Sequence, residues 1–66
     1  MADFRFYFID AAERIFHAEN HACTDDAAAE AMARALILAA EPAVVAIEVW
    51  DRARMIAAVK RQDAVP

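Results

Sequence analysis

Residues Ala11–His21 read AAERIFHAENH, and whether this stretch coils or extends decides the fold. Helix propensity favours a coil, with Asp10 as cap and Glu13 completing a capping-box-like pair. An echo downstream favours a strand. Phe8-Ile9-Asp10, a short gap and Arg14-Ile15 resemble Val49-Trp50-Asp51, a short gap and Arg54-Met55-Ile56. Two hairpins of similar pattern would frame the segment between them. We therefore read Asp10–Glu13 as a turn and residues Arg14 to His21 as the second strand.

Working outward, Phe4-Arg5-Phe6-Tyr7-Phe8-Ile9 alternates and is rich in aromatics, which predicts the first strand. Phe4, Phe6 and Phe8 share one face and mark it as core; Arg5, Tyr7 and Ile9 share the other. On the far side, TDDAAAEAMARALILAAE over Thr24 to Glu41 reads as the one helix. Thr24 suits the N-cap, and Asp25 and Asp26 place carboxylates at the positive end of the helix dipole. Glu41 precedes Pro42 and is biased away from the α region, so the helix should stop there. At 100° per residue Asp26, Glu30 and Arg34 form a polar stripe, with Glu30 and Arg34 a supportive i,i+4 pair. The opposite face, Ala28, Met32, Ala35 and Ala39 flanked by Ala31 and Leu36, is expected against the sheet. Ile37 falls on the polar stripe and reads as a single exposed Ile.

After Pro42, the β-branched run Ala43 to Trp50 predicts a third strand. Val45, Ile47 and Val49 fall on one face; Val44, Ala46, Glu48 and Trp50 fall on the other. Asp51-Arg52-Ala53 turns the chain, and Arg54 to Val59 or Lys60 is the fourth strand. Residues 61–66 read as a frayed tail. The expected fold is α+β: a ββαββ order with one helix, about 24–41, on a four-stranded antiparallel sheet. The chain has no glycine, so its turns lack the residue that takes positive φ at no steric cost. Asp10, Asn20 and Asp51, near the bends, are among the next most tolerant types.

Sixty-six residues make one domain, and a chain this short buries only about 60% of its unfolded surface. The hydrophobic fraction of 62% overstates the core, because 19 of those residues are Ala. Self-association through a second apolar surface is the expected help. Cys23 is the only cysteine, which excludes an internal disulfide and fits a reducing cytosol. No signal-peptide pattern or membrane span is read, so a cytoplasmic protein is expected. The net charge is −4, which argues against non-specific nucleic-acid binding. Arg52, Arg54, Lys60 and Arg61 alternate with Glu48, Asp51 and Asp63, the pattern of an ordinary mixed surface.

The opening aromatic strand, the turn with Asp and Arg, the -DDAAAEAMARAL- helix and the Val/Ile-rich strand ending Asp-x-x-Arg carry a resemblance. Together they are similar to a family of short bacterial proteins known only as a domain of unknown function. The resemblance spans nearly the whole chain and implies a ββαββ fold, with no activity or functional residues attached. Ala11 and Arg52 stand near positions where that family usually has Gly. A second likeness is to small antitoxins with a partial RNase-H-like fold, whose helix also opens Thr-x-x-x-Ala. The additional strands and the separate DNA-binding element usual in those chains are not evident.

Several constellations invite chemistry. His17, His21 and Cys23 with Glu19 suggest a metal site, but residues four apart on a strand lie about 13 Å apart, too far to share an ion. Cys23 near a helix N-terminus with a neighbouring His suggests a nucleophile, yet no oxyanion-hole motif accompanies it. Asp25 and Asp26 point in different directions on a helix and suit capping better than acid/base work. No catalytic residue, metal or cofactor is therefore assigned. What remains is the sheet face away from the helix, with Arg5, Tyr7, Ile9, Trp50 and Ile56 as interface candidates, since Tyr, Trp and Arg concentrate binding energy at interfaces. The expectation is a non-enzymatic interaction module, a homodimer through that face or a sheet edge. The alternative is a regulatory or antitoxin-like protein binding a protein partner or nucleic acid.

Overall fold

The computed structural model describes residues 1–64. Residues 15–23 are extended. The chain forms β1 (Ala2–Ile9), β2 (Ile15–Cys23), α1 (Asp26–Ala39), β3 (Ala46–Asp51), β4 (Arg54–Lys60) and a helical turn α2 (Arg61–Ala64). The strands make one sheet in the order β2-β1-β3-β4, antiparallel throughout, with α1 on one side. Tertiary pairing overrides the helical propensity of residues 11–21. As a strand, β2 lays His17 and His21 edge-on against Phe8 and Phe6, with ring centroids 5.1 Å apart in both pairs.

The echo between the hairpins is structural as well as sequential. Phe8 faces His17 and Ile9 faces Ile15, so Phe16 is skipped. Val49 faces Ala57 and Trp50 faces Met55, so Ile56 is skipped at the equivalent place. Each skip is a β-bulge beside its turn. Asp10 organises the first turn: its Oδ1 accepts from the backbone N–H of Ala12 at 2.9 Å and of Arg14 at 3.0 Å. Asn20 is not at a bend; it sits within β2 and accepts from Arg5 at 3.1 Å.

The missing glycines leave strain at two positions. Glu13 has φ 64° and Arg52 φ 58°. Arg52 and Ala53 are the two central residues of the β3–β4 hairpin, and only the first has positive φ. A positive φ at the first central position of a two-residue hairpin turn favours Gly there. A non-Gly residue in a sparsely populated region costs about 1–3 kcal/mol, part of which glycine's own entropy loss offsets. Arg52→Gly should therefore stabilise the fold by about 1 kcal/mol and raise Tm by roughly 4–8 °C. Thermal unfolding followed by circular dichroism checks this; an unchanged or lower Tm would contradict the strain.

The core joins Phe4, Phe6 and Phe8 of β1, Ile47 and Val49 of β3, Val59 of β4, Val44, Cys23, and Ala29, Ala33 and Ile37 of α1. This corrects the expected helix face in part: Ala28, Met32 and Leu36 pack against the core as expected. Ala31, Ala35 and Ala39 are exposed, whereas Ile37 is among the largest fully buried side chains. The polar stripe borders the buried face instead of opposing it. Asp26 meets Arg54 at 3.3 Å and Arg34 meets Glu30 at 3.2 Å. Ala29, Ala33 and Ile37 are spaced by four, and their two alanines bring the backbone close to the strands before Ile37 fills the remaining space.

The ends of several elements also differ. The N-cap is Asp25, whose Oδ1 accepts from the Ala28 N–H at 2.8 Å; Thr24 lies one residue outside. β3 begins only at Ala46, because Val45 N donates to the Ile9 carbonyl alongside the Ile9–Ala46 pairing. Val44 is consequently in the core, and Val45 is partly exposed. Residues 61–64 form a helical turn, not a frayed tail. Arg61 anchors it by donating to the carbonyls of Val44 at 2.9 Å, Ala40 at 3.2 Å and Glu41 at 2.8 Å. The last two residues of the expected tail lie outside the described residues.

Candidate interaction surface

Alternation on the four strands leaves the sheet side away from α1 without a second layer among the described residues. β1 contributes Asp3, Arg5, Tyr7 and Ile9; β3 contributes Ala46, Glu48 and Trp50. Their cross-strand partners add Ile15, Ala18 and Asn20 from β2 and Met55, Ala58 and Lys60 from β4. At its centre the half-buried Tyr7 and Trp50 rings meet edge to face, with centroids 6.5 Å apart. The Arg5 guanidinium stands 5.6 Å from the Tyr7 ring centre. Trp50 Nε1–H donates to Glu48 at 3.1 Å, so the indole's polar atom is satisfied within the sheet and its apolar body is left for contact.

Of the five interface candidates, the structure brings Arg5, Tyr7 and Trp50 together. Ile9 is on this side but only 9% exposed, and it floors an open groove of about 900 Å³ with Asp10, Val45, Glu48 and Lys60. Ile56 is not on this face. It is the skipped residue of the β4 bulge and packs against the core. Met55 takes its place opposite Trp50 and is 49% exposed, while Ile15 is 55% exposed opposite Ile9. Sequence alternation missed both because each bulge flips the phase of the outer strand. The sequence carries no signal for them: three residues separate Asp10 from Arg14 and two separate Asp51 from Arg54, and a skipped residue changes neither turn.

The helix side of β2 holds a second group. α1 approaches β3 and β4 more closely than β2, leaving a row of His17, Glu19 and His21 partly exposed. Both imidazoles donate from Nε2 to the one carboxylate, His17 at 2.9 Å and His21 at 2.8 Å. The carboxylate acts as a bridge between two donors, and among the described residues no group of three His, Cys, Asp or Glu is placed to hold a metal ion. Cys23 is buried at the end of β2. Burial, and then the nearby Asp25, push its thiol up, which keeps it protonated and a poor nucleophile.

The hydrogen bonds from His21 and His17 hold the Glu19 carboxyl below its ordinary value of 4.5. A carboxyl lowered in the folded state adds stability above its unfolded pKa, and that stability is lost as pH falls through the folded value. Glu19→Gln should thus cost a few tenths of a kcal/mol at pH 6, screened because the group is partly exposed. The cost should shrink as pH drops below about 4.5. Urea titrations of both proteins at pH 6 and pH 3.5 check this. A difference that is larger at pH 3.5 would reverse the sign.

Of the basic residues near the end of the chain, Arg54 reaches Asp26 and Asp51, and Arg61 is spent on backbone carbonyls. Among the described residues no helix is long and apolar enough to cross a membrane. No protein-family model, no curated protein and no solved structure matches the chain.

Proposed function

We propose that this chain is a small non-enzymatic interaction module of the cytoplasm that forms a homodimer through its open sheet face. The observation that carries the reading is the Tyr7–Trp50 pair, with Ile15 and Met55 beside it, on a face that no element among the described residues covers. Three further features favour a second copy as the occupant. The face carries charges of both signs, Arg5 and Lys60 with Asp3 and Glu48, as a self-complementary surface requires. The molecule is a slab of 30 × 25 × 15 Å, so its broad side offers a flat area on which a second copy can lie. Finally, Arg5 is fixed by Asn20 and Tyr7, and Trp50 by Glu48, so little side-chain freedom remains to be lost on contact.

The regulatory reading with nucleic acid on the same face is weaker, because Glu48 and a net charge of −4 oppose phosphate binding. Light scattering over a hundredfold concentration range tests the proposal. A mass rising to twice the 7.3 kDa of one chain supports it. A mass that stays at one chain overturns it.

A further inference from the structure

The two edges of the sheet are protected unequally. β4 is the shorter, is bracketed by Arg54 and Lys60, bends at its Ile56 bulge and runs directly into the α2 turn. Each of these features discourages another strand from adding to that edge. β2 has nine residues and contains no Lys, Arg or Pro. Its only formally charged side chain, Glu19, is already matched by two imidazoles. Beyond the Phe16 bulge, His17 to Cys23 keeps an unbroken register with β1.

The direction of its backbone groups follows from the ladder. The Ile9 carbonyl accepts from Val45 on the β3 side. In an antiparallel sheet the backbone groups of successive residues point to alternate sides, so those of Phe8, Phe6 and Phe4 point to β2. Their partners His17, Glu19 and His21 point back to β1. Ala18, Asn20 and Ala22 are left with donors and acceptors aimed at the open edge.

We infer that β2 pairs with β2 of a second copy, antiparallel and centred on Asn20, joining two four-stranded sheets into one of eight strands. Charge selects this register. Centring on Glu19 would set the two carboxylates opposite each other, which is destabilising. Centring on Asn20 sets His21 of each copy against Glu19 of the other and Ala18 against Ala22, and it uses only the regular part of the strand. Glu19, which already accepts from His17 and His21 of its own copy, retains lone pairs for a third imidazole donor. The contact is distinct from the open-face dimer: it consumes backbone groups at an edge and leaves Tyr7 and Trp50 uncovered.

Amide hydrogen exchange, read residue by residue at 20 μM and 1 mM, tests the inference on the unaltered chain. Pairing predicts that the Ala18, Asn20 and Ala22 amides slow at least tenfold at the higher concentration. Open-face association alone leaves them fast at both concentrations. Exchange of these three amides that is fast and independent of concentration overturns the edge pairing whatever the oligomeric mass. Glu19→Lys should abolish the slowing, and adding His21→Glu should restore it by placing Glu opposite Lys. If both variants fold and the single change leaves the protection intact, the proposed register is wrong.

Discussion

Replacing Ile37 by Ala should remove most of the stability of this domain. Ile37 is fully buried between the helix and the sheet, and truncating such a side chain costs about 2–5 kcal/mol through lost transfer energy and the cavity left behind. A core this small rarely supplies more than about 3–5 kcal/mol in total. Ile37→Ala should therefore be largely unfolded in dilute buffer at 25 °C or melt just above it. Leu38→Ala, one residue along on an exposed position, should change stability by less than about 0.5 kcal/mol. Urea unfolding of both variants makes the comparison. Were Ala31, Ala35 and Ala39 buried and Ile37 exposed, Ile37→Ala would be nearly silent, so the pair fixes the rotation of the helix.

That rotation was the least legible part of the fold. Seven of the fourteen helix residues are Ala, and alanine fits an exposed or a buried face equally well. Direction then rests on the charges, which mislead here. Asp26 and Arg34 border the core because they reach sideways, Asp26 to Arg54 and Arg34 to the Asp63 carbonyl at 3.4 Å. The strands were far more legible. Three Phe at alternate positions specify which side of β1 is core, and the matching Asp-gap-Arg turns revealed that both hairpins are built alike. Bulges were not legible, since one skipped residue in each outer strand leaves no mark on composition. They explain why Ile56 turned inward while Met55 and Ile15 turned out. The His17–Glu19–His21 bridge follows from simple alternation once β2 is known to be a strand.

Trp50→Ala should produce the second large effect, on association and not on folding. Buried aromatic anchors at interface centres commonly cost 2 kcal/mol or more on truncation, so the dimer dissociation constant should rise about 30-fold or more. Tyr7→Ala should act in the same direction, because the two rings brace one another. Neither side chain belongs to the core beneath the helix, so both variants should keep the parent far-UV circular dichroism. Sedimentation equilibrium gives the constants. An undiminished dimer in both variants would move the interface elsewhere.

The emission of Trp50 tests the open-face dimer most directly. It is the only tryptophan in the chain and lies at the centre of the proposed contact. As concentration rises, emission should shift to the blue in step with a doubling of mass, because pairing removes water from the indole. Emission unchanged while the mass doubles would place the contact elsewhere and contradict the proposed interface.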